Sequence, residues 1–149
     1  MAELEDIYQE VILEHAKSPR NFRVLEGTSQ QAEGFNPLCG DKCKVYIAMD
    51  GDRIQDISFQ ATGCAISRAS GSMMTQALKG KTAAEADEIF RSFHRMVRGE
   101  NGKEDPADLG KLGAFAGVAG FPARVKCATL AWHTLEAALH GQHDPVTTE

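Results

Sequence analysis

The chain has 149 residues, 42% of them apolar and 25% charged, which suits one globular domain, spanning 1–149, around a single core. A net charge of −5 gives no electrostatic footprint for a nucleic-acid partner. The acidic opening MAELEDIYQE lacks the basic start and apolar run of a secretory signal, and no stretch is long enough to span a bilayer, so a cytoplasmic, reducing setting without a membrane partner is expected. Four cysteines in that setting point to metal binding or catalysis rather than to disulfides.

The first element is an amphipathic helix over roughly residues 3–17, with Leu4, Ile7, Tyr8, Val11, Ile12 and His15 at helical spacing. It ends at Ser18-Pro19, because proline lacks an N–H and restricts the residue before it. Residues 20–38 carry Asn21, Gly27, Gly34 and Asn36-Pro37 and read as loop with room for one edge strand. A hairpin follows. Val45, Ile47 and Met49 alternate with Lys44, Tyr46 and Ala48, and Asp50-Gly51-Asp52 turns the chain into Ile54–Gln60.

After Gly63 the pattern becomes helical over 65–79 and stops at Gly80. Thr82 and Glu85 form a capping-box start for a helix to about residue 97. Residues 99–108 are polar and turn-rich, a surface excursion. Leu109–Gly120 is rich in Gly and Ala and predicts a short helix. Pro122 suits the first position of a last helix that runs to His140 and stops at Gly141. The tail from about 141 is expected to fray.

Three cysteines fall at element ends, where side chains from different elements converge. Cys39 lies in NPLCGD before the hairpin, Cys64 in TGCAIS at the strand-to-helix junction, and Cys127 in PARVKCATL near the start of the last helix. A thiolate near a helix N-terminus, as at Cys64, is favoured by unpaired N–H groups and the helix dipole. Asp41 adds an oxygen donor two residues from Cys39, on the same side if the backbone is extended. Three thiolates and a carboxylate suit tetrahedral zinc and equally an iron–sulfur cluster with one non-cysteine ligand. Spacing alone carries neither reading: there is no C-x2-C pair, and small buried thiols explain the same positions better. Cys43 shares parity with Cys39 and Asp41 and also with Val45, Ile47 and Met49; the core is the better place for it.

The motif contexts decide more than the spacing. NPLCGD, GCAIS with the serine- and methionine-bearing helix after it, FPARVKCATLAW and the opening YQEVILEHAKSPRN together resemble the U-type iron–sulfur cluster assembly family, IscU- and SufU-like, over about Tyr8 to Leu139. The resemblance implies an α+β fold, a compact sandwich of a small antiparallel sheet covered on one face by helices with a metal site at one end. It implies Cys39, Asp41, Cys64 and Cys127 as the metal ligands. Scaffold members of the family carry histidine just before the last cysteine, where this chain has Lys126, and this chain has extra material at roughly 90–115. Both features resemble the SufU branch. That branch implies bound Zn2+ and acceptance of persulfide sulfur from a SufS-like cysteine desulfurase. The other branch implies a scaffold for a [2Fe–2S] cluster on the same ligands, passed on to downstream assembly or acceptor proteins. Whether the chain is a sulfurtransferase-like partner or a non-enzymatic scaffold stays open at this level.

Within the sulfur-transfer reading Cys39 is the expected acceptor, since a Gly-flanked loop moves more readily than a helix start. Arg124 and Lys126 are candidates for positioning an anionic sulfur or the partner. The remaining polar groups carry blander expectations. His15 packs or faces a partner. His94, His133, His140 and His143 are surface or local hydrogen-bonding groups. Glu85, Asp87 and Glu88 form a solvated helix start.

Overall fold

In a computed structural model the described residues are 2–28, 30–37, 40–100, 102, 105–141 and 146–147. The order is α1 (Ala2–Lys17), β1 (Gln30–Asn36), β2 (Asp41–Asp50), β3 (Arg53–Thr62), α2 (Ala65–Leu78), α3 (Ala83–Val97), a 3-10 segment (Pro106–Gly120), α4 (Pro122–Leu139) and a two-residue β4 (Val146–Thr147). The sheet order is β3-β2-β1-β4. The first three strands are antiparallel, and β4 lies parallel to Gly34 and Phe35 of β1. The small antiparallel sheet, packed against several helices with a metal-capable cluster at one end, matches the expected α+β architecture. No helix among the described residues is long and apolar enough to cross a membrane.

Alternation along the strands builds the core. On one face Cys43, Val45, Ile47, Ile54, Ile57, Phe59 and Ala61 are buried, and they meet Ala69, Met73, Met74 and Leu78 of α2 and Leu130, Ala131 and Leu135 of α4. Cys43 is thus a core residue, and burial pushes its thiol up to about 12. Gly71 lets α2 sit directly on β3, for a Cβ there would lie 2.5 Å from the Phe59 ring. Trp132 is fully buried, stacked on Phe93 at 4.5 Å between ring centroids.

Helix ends follow their local chemistry. Gly80 and Gly141 have positive φ at the ends of α2 and α4, Pro122 starts α4, and Thr82 and Glu85 close a reciprocal capping box on α3. The Leu109–Gly120 stretch is helical in short 3-10 turns, with a break at Gly110, where the small residues give little side-chain support to a continuous α-helix. Val11, Ile12 and His15 of α1 turn inward as expected, and His15 Nδ1 meets Ser72 Oγ at 2.7 Å. The side chains of Leu4, Ile7, Tyr8 and His143 lie outside the described residues, as do parts of the 99–108 excursion and of the tail; Val146–Thr147 of that tail is strand-paired.

Two groups depart from the expected solvated faces. Asp87 turns toward α4 and meets His140 Nε2 at 3.4 Å, while Glu136 meets the same ring nitrogen at 3.1 Å. Its place on the buried side of the first α3 turns, next to Ala86, brings it there. His94 and His133 stand edge-to-face at 5.4 Å, and each packs on Phe90. Apolar neighbours hold both rings in the α3–α4 seam rather than on the surface.

Candidate metal centre

The end of the sheet where β2 begins and β3 ends presents Asp41, and the turn after β3 presents Cys64. Asp41 is the first residue of β2 and Cys64 the N-cap of α2. Cys127 sits in the second turn of α4, which packs beside α2. The carboxylate of Asp41 and the sulfurs of Cys64 and Cys127 all lie within 4.8 Å of one another. Three of the four ligand positions expected from the sequence therefore converge. The fourth, Cys39, lies outside the described residues, in the connection whose ends are tied by the Gly40 N–H to the Asn36 carbonyl at 2.8 Å.

Asp41 is only 1% exposed, so its charge needs partners. The backbone N–H of Cys64 donates to Oδ1 at 2.9 Å and the Ser67 hydroxyl to Oδ2 at 2.7 Å. The Cys64 thiol lies 3.4 Å from Oδ2. Burial pushes the carboxyl upward, but the hydrogen bonds from Ser67, from the Cys64 backbone and from the two thiols outweigh it and hold it below the usual carboxylate range. Cys64 is half-buried and its thiol is pulled down to about 6, first by the hydrogen bond from Cys127. Burial opposes this, Ser67 adds to it, and the Asp41 charge pushes back. On the far side Asn36, fully buried, points its side-chain amide at Cys127 Sγ across 3.7 Å.

The donor set fits a tetrahedral metal. Bonds of ~2.3 Å to sulfur and ~2.0–2.2 Å to oxygen place donors roughly 3.4–3.8 Å apart around zinc, so donors already within 4.8 Å need only a small contraction. Arg124 is exposed and its guanidinium sits 4.5 Å over the ring of Phe121, itself 51% exposed. Lys126 is half-buried.

Ser67, Asn36 and Gly63 carry no role in the sequence reading, yet each touches the cluster. All three lie inside or beside the cysteine motifs, in GCAIS, NPLCGD and TGCAIS. The available signal is helical and positional: Ser67 stands three residues after Cys64 on the same face of α2.

Comparison with known proteins shows the family. The family model described as NifU-like N terminal domain matches residues 7–128. The chain is 45% identical over 135 residues to the zinc-dependent sulfurtransferase SufU of Bacillus subtilis (strain 168), covering 91% of this chain and 90% of that protein. It is 41% identical over 141 residues to the iron–sulfur cluster assembly scaffold protein IscU of Streptococcus pyogenes serotype M1, covering 93% and 86%. Among solved structures it is similar to an iron–sulfur cluster assembly scaffold protein for the SUF system from Fervidobacterium islandicum AW-1. The TM-score there is 0.80 and the identity 38%, over 91% of this chain and 98% of that one. It is also similar to the N-terminal part of a NifU-like protein from Brucella abortus, with TM-score 0.82 and 26% identity over 93% and 96%.

Proposed function

Since the chain belongs to the NifU-like N-terminal domain family, we propose that it serves iron–sulfur cluster assembly as a zinc-dependent acceptor and carrier of persulfide sulfur from a cysteine desulfurase. The observation that carries this reading is the convergence of Asp41, Cys64 and Cys127 within 4.8 Å. Cys39, two residues before Asp41, is the proposed fourth donor and the acceptor. Zinc bound here supplies positive charge that keeps the thiols ionised near neutral pH.

The residues then divide the work. Cys64 and Cys127, each fixed on a helix, hold the centre, and Asp41 is the weakest donor of the set. Cys39 acts as a thiolate: its sulfur attacks the outer sulfur of the desulfurase persulfide, the S–S bond breaks, and the desulfurase cysteine leaves as thiolate. The persulfide now on Cys39 is the carried sulfur. Arg124 and Phe121, stacked and exposed at the start of α4, are the proposed docking corner, with Lys126 steadying negative charge. Lys126 in place of a histidine, and the extra 90–115 material, favour this SufU-like reading.

The second reading is a scaffold on which a [2Fe–2S] cluster is built as cargo and handed on. The same donors suit it, and the similarity to the Streptococcus protein favours it. Desulfurase turnover and metal analysis separate the two. A colourless protein with about one zinc per chain that accelerates sulfur release, and a Cys39→Ala variant that no longer accepts sulfur, support the carrier. Wild-type acceptance by Cys39→Ala removes Cys39 as acceptor. A visible-absorbing cluster formed from iron and sulfide, with no effect on turnover, supports the scaffold.

A further inference from the structure

Asp41 is held in place by the first turn of α2 rather than by its own strand. Its side chain fills the space beside Gly63, where a Cβ would lie 1.8 Å from Oδ1 and 2.6 Å from Cγ. Its two oxygens are each taken by α2: Oδ1 by the Cys64 N–H at 2.9 Å, Oδ2 by the Ser67 hydroxyl at 2.7 Å. We infer that Ser67 is a positioning residue for the metal centre, whose hydroxyl aims the Asp41 carboxylate and supports it when the carboxylate is not bound to metal. This assignment rests on the proposed metal-binding role of Asp41, Cys64 and Cys127.

The physical case has two parts. A buried carboxylate needs donors to fix its direction, and Asp41 is only 1% exposed. Ser67, itself 2% exposed, provides a donor whose direction is fixed by the helix. The hydroxyl also has a second acceptor in place: the Cys127 carbonyl is 3.2 Å away and the Cys64 sulfur 3.6 Å. Of the two oxygens, the Asp41 carboxylate makes the shorter, charge-assisted bond and prevails. If Asp41 swings away, the hydroxyl re-aims at the Cys127 carbonyl and keeps a partner of its own. Ser67 therefore lets the softest ligand of the centre engage and release without its own buried hydroxyl losing a partner.

The test measures zinc affinity of the full chain by competition with a chromophoric chelator, alongside thermal unfolding of the metal-free protein. Ser67→Ala is expected to bind zinc 10–100-fold more weakly than wild type, the usual effect of removing a group that orients a metal ligand. Ser67→Thr, which keeps the hydroxyl, restores most of the affinity, and Ser67→Val, its isostere, does not. The Thr/Val pair decides the question even where the alanine variant folds poorly. With Co2+ in place of zinc, Ser67→Val shifts the ligand-field absorption relative to Ser67→Thr. Ser70 provides the structural control: it lies three residues on, fully buried, donating to the Ala128 carbonyl and accepting from Trp132 Nε1. Ser70→Ala lowers thermal stability and leaves zinc affinity unchanged. Equal zinc affinity in Ser67→Thr and Ser67→Val overturns the assignment, as does an equal loss in Ser70→Ala. A wild-type chain that binds no zinc overturns the metal reading itself and Ser67's role with it.

Discussion

The carboxylate of Asp41 occupies the space that a side chain on Gly63 would need, so the two residues fit only because one of them has no Cβ. At φ +128 Gly63 is also in a backbone region that L side chains rarely adopt. Gly63→Ala is therefore expected to displace Asp41. Strain at such a position is worth about 1–3 kcal/mol. Thermal unfolding will show the destabilisation, and the isolated protein will carry less metal. A Gly63→Ala protein with wild-type metal content would show that the Asp41 carboxylate can sit elsewhere.

Glu136 predicts a second effect, far from the metal centre. Its carboxyl is pushed up to about 7 by burial first and then by the Asp87 carboxylate, while His140 opposes the shift. Asp87 Oδ1 and Glu136 Oε1 are both buried with no hydrogen-bond partner, an arrangement a shared proton relieves. A carboxyl whose folded pKa is raised contributes stability that is full below its unfolded value near 4.5 and lost as pH rises through about 7. Glu136→Gln, locked in the neutral form, should exceed wild type by about 1–2 kcal/mol at pH 8, after allowance for partial exposure, and match it near pH 4.5. Denaturant titrations at the two pH values measure the difference.

His133 works in the opposite direction. Burial first, then the nearby His94, bring it down to about 4. The neutral ring is favoured in the folded state, so its contribution is full above the unfolded value of 6.5 and is lost as pH falls toward 4. His133→Gln should flatten the acid limb of the stability curve by on the order of 2 kcal/mol. Because Glu136 gains over much of the same window, the comparison belongs between variant and wild type at each pH. A ring-proton titration by NMR with a midpoint near 6.5 would contradict the assignment.

The start of α3 gives a simpler expectation. Thr82 accepts from the Glu85 N–H at 3.1 Å, and Glu85 returns a bond to the Thr82 N–H at 3.1 Å. Thr82→Ala leaves the Glu85 N–H to water and should lower stability by about 1 kcal/mol. It should leave metal content untouched, since α3 supplies no donor to the centre.

The helix and hairpin boundaries were legible because each is set by local chemistry: Asp50-Gly51 at the turn, Gly80 and Gly141 at helix ends, Pro122 at a helix start. The positions of Asp41, Cys64 and Cys127 were legible through the motifs around them, and spacing alone would have left them as core thiols and a surface acid. Ser67 and Asn36 were in plain view inside those motifs, but a serine or asparagine says nothing of its partner until the chain closes over it. Along the chain, His94 and His133 read as surface or local hydrogen-bonding groups and Asp87 as part of a solvated helix start, because a single helix does not show what packs against it. Only the packing of Phe90 against His94, His133 and Trp132 turns those groups inward.

Helix α2 leaves the end of β3 at Gly63 and returns to the beginning of the same strand. There the Gly80 N–H bonds the Ile54 carbonyl at 2.8 Å and the Ile54 N–H bonds the Lys81 carbonyl at 2.7 Å. Fourteen residues of helix, about 21 Å long, are thus strung like a bow across ten residues of strand. A string tied at both ends cannot slide. Cys64 and Ser67 therefore stand at one end of a helix whose other end is pinned beside the Asp50–Arg53 turn, so the length of that helix sets how far the sulfurs lie from the turn.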